Sequence, residues 1–158
     1  MHKIQVYLDT SVIGGYFDKE FEKPTKALFD LFIQGVYTPV ISKTSILELE
    51  GAPSHVKDFI FNNSFSSSLI TVDTTPEIKD LSKLYLQEAI ISAKYEDDAI
   101  HIATATVYKI DVLVSWNFKH IVNLNKIRQF NAVNLREGYG ALEIRTPMEV
   151  LNNEEKSI

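Results

Sequence analysis

Hydrophobic positions alternate in some stretches of the chain and recur every three or four residues in others, which predicts strands separated by helices. Residues 3–8 (KIQVYL) show the alternation of a strand, and Asp9 follows as a residue type that often caps a helix. Between Pro24 and Gly35 the apolar residues recur at helical spacing, and the glycine can end that helix. The pattern therefore places Asp9 at the carboxyl end of the first strand.

The remaining elements follow from the same patterns. Further strands are predicted at residues 37–41, 69–72, 112–114 and 142–145. Further helices are predicted after Ser42 or Thr44 up to about residue 62 with a break at Pro53, at 75–91, at 96–108, and as short helices beyond residue 114. We interpret the serine-rich residues 64–68 as a loop, residues 1–150 as a single domain and residues 151–158 as a polar, frayed tail.

Strands that are separated by helices predict an α/β fold with a parallel sheet covered on both faces. In such sheets ligands bind beyond the carboxyl ends of the strands, near the point where the strand order reverses. Asp9 and Ser115 each directly follow a predicted strand. We therefore expect these two residues to share one cleft.

The composition is that of a folded protein, and it excludes several kinds of site. The chain has 158 residues, of which 45% are hydrophobic and 23% charged, enough for one domain with a substantial core. Cysteine is missing, which excludes disulfides, thiolate catalysis and cysteine-ligated metal centres. There is no signal-peptide pattern and no run of ~20 apolar residues, so we expect a cytoplasmic protein without a membrane segment.

The net charge of −5 is unevenly distributed. Residues 109–145 contain six Lys and Arg against three Asp and Glu, which gives +3 and leaves −8 for the rest of the chain. A basic face could guide a polyanion to the protein even though its total charge is negative. The alternative is a solvated surface whose charges are not clustered in space.

Four segments resemble the successive motifs of PIN domains, especially those of VapC-type toxins. They are VYLDTSVIGGYF, VISKTSILELE, EDDAIHIATA and LVSWNFKHIV, and together they extend over most of the chain in the family's order. The resemblance implies a three-layer α/β/α sandwich with a central parallel sheet. It also implies a Mg²⁺- or Mn²⁺-dependent endoribonuclease, a small antitoxin as partner, and a homodimer, for which the apolar residues Leu28, Leu31 and Phe32 could serve as well as for the core.

Three acidic residues match the family's metal ligands and catalytic residues. By resemblance Asp9 is the first, Glu48 the second and Asp98 the third. Thr10 and Asp97 adjoin two of them and are supporting candidates, Asp97 being the second choice for the third ligand.

Two positions near the fourth strand depart from the family's pattern. Ser115 matches the small hydroxyl residue that follows this strand, but Asn117 and His120 stand where acidic residues often occur. The Asn117 amide oxygen could still bind a metal or a water. Losing two negative charges puts tight binding of a second metal ion in doubt.

Several residues near these motifs are candidates for contact with RNA. They are Lys119, His120 and Trp116, because cations bind phosphates and single-stranded bases commonly stack on aromatic rings. Trp116 and Phe118 could equally pack in the core or at a dimer contact, and for Phe118 we favour packing.

The chemistry gives an independent reason for a cation at such a cluster. Two carboxylates ~4 Å apart repel by about 1 kcal/mol in water and about 4 kcal/mol at an effective dielectric of 20. Mg²⁺ prefers oxygen ligands, and it typically binds through one or two carboxylates together with substrate phosphate. Divalent ions bound in this way activate water and stabilise the leaving oxygen in phosphodiester hydrolysis.

Each acidic candidate also has a structural interpretation. Asp9 could simply cap a helix, and Glu48 could lie on the solvent side of one, as could Glu50. Asp98 could interact only with the positive end of its helix. His101, one turn further along, fits a hydrogen-bonded structural histidine better than a metal ligand, because its neighbours are apolar.

Three functional hypotheses remain at this level. The first is the metal-dependent ribonuclease, as the toxin of a type II toxin–antitoxin pair. The second is a catalytically weakened PIN-like domain that binds RNA or protein, which the departures at Asn117 and His120 support. The third is phosphoryl transfer through an aspartyl intermediate on Asp9, which Ser11 disfavours because haloacid dehalogenase-type enzymes usually have a second aspartate there.

Overall fold

The computed structural model describes residues 2–62 and 64–156, and in these ranges the chain forms one sheet. Its five strands are Ile4–Leu8 (β1), Tyr37–Ser42 (β2), Ile70–Val72 (β3), Val112–Val114 (β4) and Glu143–Arg145 (β5). All neighbouring strands pair in parallel, in the order β3-β2-β1-β4-β5. The predicted parallel sheet is confirmed, with strand bounds within one or two residues of those expected from the sequence.

Eight helices accompany the strands in the described residues. They are Thr10–Gly15 (α1), Glu22–Ile33 (α2), Lys43–Leu49 (α3), Ser54–Phe59 (α4), Pro76–Gln87 (α5), Glu96–Val107 (α6), Leu124–Arg136 (α7) and Pro147–Lys156 (α8). Within the same part of the chain, none of the helices has the length and apolar character needed to cross a membrane.

The sheet separates two hydrophobic cores, because successive side chains of a strand point to opposite faces. On β1, Tyr7 joins the core formed with α5, α6 and α7, whereas Val6 and Leu8 join the core formed with α1, α2 and α4. Leu113 and its neighbours Val112 and Val114 divide in the same way on β4. The fold is therefore the expected three-layer α/β/α sandwich.

The strand order reverses at β1. The chain passes from β1 outward through β2 and β3, and then returns to place β4 on the other side of β1. Asp9 directly follows β1 and Ser115 directly follows β4, and the Asp9 amide donates to the Val114 carbonyl oxygen at 3.4 Å. The switch point therefore brings the ends of these two strands together, as ligand sites in open α/β sheets require.

Several helix bounds differ from the sequence predictions. α5 ends at Gln87 rather than near residue 91, because Ala89 has a φ of 58° and takes the chain out of the helix. The expected short helices after β4 are one helix of 13 residues, α7. Residues 64–68, predicted as a loop, form a short 3₁₀ helix.

The C-terminal helix crosses the predicted end of the domain. α8 continues to Lys156, so most of the segment 151–158, predicted as a frayed tail, is helical, and residues 157–158 lie outside the described range. Its first turns pack on α2. The division of the chain at residue 150 stays a prediction.

The apolar face of α2 belongs to the core. Leu28 and Phe32 are buried in the core on the α1, α2 and α4 side, and Leu31 is partly buried against it. The alternative role of these three residues as an exposed dimer face is therefore wrong for Leu28 and Phe32, since both side chains are already covered within one chain.

Candidate active site

Asp9 is the most enclosed of the acidic candidates. It caps α1 and is 2% exposed, and its Oδ1 accepts hydrogen bonds from the Ser11 hydroxyl at 2.6 Å and the Val12 amide at 3.2 Å. Its Oδ2 accepts from the Ser115 hydroxyl at 2.6 Å. Burial raises the pKa of Asp9, while His101 and these hydrogen bonds oppose the rise. The role of Asp9 as a helix cap is therefore compatible with its place among the clustered carboxylates.

Asn117 links the loop after β4 to Asp98 on α6. Its Nδ2 donates to Asp98 Oδ2 at 3.2 Å. Its Oδ1 accepts from the backbone amides of Lys119 at 3.2 Å and His120 at 2.9 Å. The amide oxygen of Asn117, a candidate for binding a metal or a water, is therefore already used by two amides of its own loop.

Asp98 has an unfavourable electrostatic environment for a negative charge. Burial raises the pKa of Asp98 to about 6, against the opposing effect of His101 and with further increases from Asp9, Glu48 and Asp97. Asp97 itself is exposed. Asp98 is less exposed than Asp97, and it shares its surroundings with both other carboxylates.

Glu48 points inward from α3, while its neighbour Leu47 is 65% exposed. Glu48 Oε1 lies 2.6 Å from His101 Nε2, and Glu48 Oε2 accepts a hydrogen bond from Thr10 Oγ1 at 3.2 Å. The interpretation that Glu48 lies on the solvent side of its helix is therefore wrong, because its two carboxylate oxygens contact His101 on α6 and Thr10 on α1.

His101 is fully buried, and it connects Glu48 to a chain of hydroxyl groups. The Tyr7 hydroxyl donates to Ser42 Oγ at 2.8 Å, which leaves its oxygen to accept from His101 Nδ1 at 2.6 Å. A protonated imidazole would donate from both ring nitrogens, to Tyr7 and to Glu48. Burial alone would lower the pKa of His101, but the Tyr7 oxygen, Glu48 and Asp9 raise it well above the usual value.

The expected structural role of His101 is confirmed by these contacts, and its charge adds a second consequence. A buried imidazolium beside Glu48 also lies close enough to lower the pKa of Asp9 and of Asp98. In its protonated form His101 offsets part of the mutual repulsion of the carboxylates.

The donor set can be compared with the needs of a hard divalent cation. The carboxylates of Asp9, Glu48 and Asp98 with the Ser115 hydroxyl are all oxygen donors, and the pKa of Asp98 is raised first by burial and then by the neighbouring carboxylates. The residues therefore fit Mg²⁺ or Mn²⁺ in kind. Over residues 2–62 and 64–156, no three His, Asp or Glu side chains are arranged to hold one metal ion as they stand.

The aromatic residues of the β4 loop are placed differently from the sequence prediction. Trp116 is 9% exposed, its ring stacks on Phe21 with centroids 4.4 Å apart, and its Nε1 donates to Thr25 Oγ1 at 2.9 Å. Phe118, for which packing was favoured, is 53% exposed. An open stacking face on Trp116 is therefore wrong for this structure, and Phe118 has the exposed ring.

The other two RNA-contact candidates differ from each other. Lys119 is exposed beside the cluster. His120 is partly buried with its ring 3.9 Å from that of Tyr95, and burial, Lys119 and Lys126 lower the pKa of His120. In the part of the chain that the structure describes, the enclosed Nδ1 of His120 has no hydrogen-bond partner.

Part of the basic excess of residues 109–145 is engaged within the chain. Arg136 pairs with Glu88 at 2.7 Å and Arg145 pairs with Glu143 at 2.9 Å. These two arginines do not add free positive charge to a face for a polyanion, and Lys119 is the member of the set that adjoins the cluster.

Sequence reasoning missed three residues that organise the site. Ser11 holds Asp9 and also accepts a hydrogen bond from the Trp116 amide at 2.9 Å, while Tyr7 and Ser42 fix His101 from below. A serine two residues after a capping aspartate is a recognisable local signal. The sequence offered no comparable signal for Tyr7, which reads as an ordinary strand residue.

Solved structures provide the comparison with known proteins, since no family model and no curated protein match the sequence. VapC20, a sarcin–ricin loop cleaving toxin of Mycobacterium tuberculosis, superposes with a TM-score of 0.54 at 10% identity, over 73% of this chain and 92% of that chain. VapBC2 from Rickettsia felis gives a TM-score of 0.57 at 15% identity, over 90% of this chain and 98% of that chain. FitAcB from Neisseria gonorrhoeae gives a TM-score of 0.57 at 14% identity, with the same coverage. The chain therefore has the fold of the VapC-type PIN domains that its sequence resembles.

Proposed function

We propose that this protein is a metal-dependent endoribonuclease that hydrolyses RNA phosphodiester bonds, and that it is the toxin of a type II toxin–antitoxin pair. The observation that carries the proposal is the convergence of Asp9, Glu48 and Asp98 at the switch point of the sheet, where Ser115, Thr10 and Asn117 hold them. The fold shared with VapC20, a sarcin–ricin loop cleaving toxin, supports it.

Mg²⁺ or Mn²⁺ is the proposed cofactor, with Asp9, Glu48 and Asp98 as its ligands. When bound, such an ion supplies positive charge for the scissile phosphate and activates water for attack. The chain's own residues position the ligands. Ser11 and Ser115 fix both oxygens of Asp9, and His101 fixes Glu48.

The proposed partners are an RNA substrate, a small antitoxin and a second copy of the chain. The proposed location of the protein is the cytoplasm. VapBC2 from Rickettsia felis is a complex bound to a DNA fragment from its promoter, and this chain covers 98% of the matched chain at 15% identity. The likeness of fold supports an antitoxin partner for this chain.

A second candidate is a catalytically weakened domain that binds RNA or protein. Two observations favour it: the chain's own hydroxyl and amide groups already occupy both oxygens of Asp9, and the Asn117 amide takes the place of a fourth carboxylate. Phosphoryl transfer through Asp9 has less support, since a carboxylate that is 2% exposed and bonded at both oxygens is a poor nucleophile.

The test is an RNA cleavage assay with protein freed of any partner. Labelled single-stranded RNAs are incubated with Mg²⁺, with Mn²⁺ and with EDTA. We expect internal cleavage in both metals and none in EDTA. RNA that binds but stays intact in every metal would favour the RNA-binding module, and RNA that neither binds nor is cut would contradict the nuclease and the RNA-binding module and leave the protein-binding module.

A further inference from the structure

A cleft of about 540 Å³ lies beyond the ends of β4 and β5, where Trp116 and Thr146 line it. Its walls combine apolar and aromatic side chains with two lysines: Phe21, Trp116, Phe118, Met148, Lys19 and Lys23. The rings of Phe21 and Trp116 are stacked, and the exposed ring of Phe118 lies 6.3 Å from that of Trp116. A cleft of this size and lining is of the kind that holds planar ligands.

The cleft begins within one residue of the candidate active site. Ser115 contacts Asp9 and Asn117 contacts Asp98, and the residue between them in the chain, Trp116, lines the cleft. Phe118 follows directly after Asn117. The loop after β4 therefore contributes residues both to the carboxylate cluster and to the aromatic cleft.

Along the carboxyl edge of the sheet, the strand order places a second cleft, the carboxylates and the aromatic cleft one after the other. β3 and β2 end at a second cleft of about 730 Å³, β1 and β4 end at the carboxylates, and β5 ends at Thr146 in the aromatic cleft. Strands are ~4.8 Å apart, so the two clefts lie on the order of 14 Å apart along this edge. That span suits a short stretch of extended single strand across the cluster.

The two clefts differ in the net charge of their lining residues, which affects how well each could bind a polyanion. The cleft at β2 and β3 is lined by two lysines, Lys43 and Lys79, and four carboxylates, including those of Glu48 and Asp97, a balance of −2. The aromatic cleft is lined by two lysines and Glu20, a balance of +1. Phosphates that flank the scissile bond are therefore better accommodated on the aromatic side.

We infer that the aromatic cleft beside Trp116 holds an unpaired base of a single-stranded RNA, next to the phosphate at the carboxylate cluster. The base stacks on the exposed ring of Phe118, and Lys19 and Lys23 face the adjoining phosphates. The inference rests on the proposed function, to which it adds a base-binding cleft beside the cut that recognises the nucleotide through the face of its base.

The fixed position of the Trp116 side chain also suits a wall of this cleft. Its indole N–H is bonded to Thr25 and its face to Phe21, so it forms a rigid wall instead of a mobile contact. A rigid aromatic wall loses little conformational entropy when a base enters. Trp116 is the single tryptophan of the chain, so its fluorescence reports on the occupancy of this cleft.

The test measures RNA binding separately from cleavage. The Asp98→Asn protein is titrated in EDTA with a short single-stranded RNA and with the same oligonucleotide made abasic, while Trp116 fluorescence is followed. Phe118→Ala is compared with Phe118→Tyr, which keeps the ring, and with Phe61→Ala, which removes an equally exposed phenylalanine outside the cleft. Circular dichroism of each variant establishes that it is folded.

We expect RNA to change Trp116 fluorescence, and Phe118→Ala to weaken binding about tenfold or more for the base-bearing strand but not for the abasic strand. Phe118→Tyr and Phe61→Ala should bind as the parent does. Equal binding by Phe118→Ala and its parent, or fluorescence that does not respond to bound RNA, would overturn the inference and leave the cleft to a protein partner. Binding with this pattern by a protein that never cleaves would support the cleft while contradicting the nuclease function.

Discussion

The Nε2 atom of His101 lies 2.6 Å from Oε1 of Glu48, so that a buried histidine on α6 is paired with a glutamate on α3. The two residues are 53 positions apart in the chain. Because the imidazole is enclosed and the glutamate is partly open, solvent screens the charge of a protonated His101 only weakly. The carboxylate cluster therefore depends on a residue that is not itself one of the proposed metal ligands.

Replacing His101 by glutamine should destabilise the protein by about 3 kcal/mol, because it removes one partner of a largely buried pair. Since the folded-state pKa of His101 is raised, its contribution is fully present below the unfolded value of about 6.5 and is lost as pH rises through the folded value. Urea unfolding of both proteins from about pH 6 upward measures this difference. The exposed His55→Gln is the control, and an equally small effect of both variants would contradict the prediction.

Asp98→Asn should stabilise the metal-free protein at neutral pH. The folded-state pKa of Asp98, about 6, exceeds its unfolded value, so its ionised form costs stability above that pH and the cost disappears as the group is protonated. After allowance for solvent screening we expect about 1 kcal/mol, or about 2–4 °C in Tm. The asparagine oxygen can still accept the hydrogen bond from Asn117.

Thermal unfolding in EDTA between about pH 4 and about pH 8 tests this pH dependence. The gain in Tm should be near zero at the acid end and complete above pH 6, the value of the raised pKa. Asp30→Asn, an exposed change on α2, should show no such trend. A loss of stability at neutral pH in Asp98→Asn would contradict the electrostatic account of the site.

Asn117→Asp should convert the departure from the family pattern into a stronger cation site. An aspartate can keep the two backbone hydrogen bonds at Oδ1, but its other oxygen would face Asp98 Oδ2, now 3.2 Å from the amide nitrogen. The repulsion should cost between about 1 and 4 kcal/mol without metal. Tm in EDTA should fall, and Mg²⁺ should raise it more than in the parent. Identical Mg²⁺ responses in Asn117→Asp, the parent and the exposed Asn125→Asp would argue against a cation at this position.

Gly15→Ala should disturb the wall of the aromatic cleft, whereas Gly14→Ala should not. A Cβ at Gly15 would lie 2.8 Å from Trp116 Cδ1 and Nε1, while one at Gly14 meets nothing within 4 Å. Because the Trp116 ring is stacked and hydrogen bonded, it cannot move freely, and we expect a loss of about 1–3 kcal/mol for Gly15→Ala. Denaturant unfolding with tryptophan fluorescence measures both variants, and equal stabilities would show that the ring yields at little cost.

Much of the fold could be predicted because its signals are local. The alternation in β1 and the apolar run of β4 reflect burial on both faces of a parallel sheet, and the carboxyl ends of such strands share an edge. That geometry alone brings Asp9 to Ser115. The end of α5 could not be predicted, since Ala89 adopts a positive φ that its residue type gives no reason to expect.

The finer arrangement of the site depends on contacts between distant parts of the chain. The pairing of His101 with Glu48 requires α3 and α6 to meet, and the inward turn of Glu48 contradicts its position between two leucines. Trp116 and Phe118 lie in a loop, where no periodicity indicates which ring is buried. Trp116, which the sequence left undecided, is held in the core by Phe21 and Thr25, and the sequence does not connect these residues to it.

The most direct measurement of the central claim is the initial rate of RNA cleavage in Mn²⁺ by the parent, Asp9→Asn, Glu48→Gln, Asp98→Asn and Glu50→Gln. Glu50 is exposed on the same segment as Glu48, and its variant controls for the loss of one carboxylate. We expect the three cluster variants to lose at least ~100-fold in rate, about 2.7 kcal/mol, while Glu50→Gln cleaves as the parent does. Cleavage that survives in Asp9→Asn and Asp98→Asn at the parent's rate would contradict the assignment of this cluster as the active site.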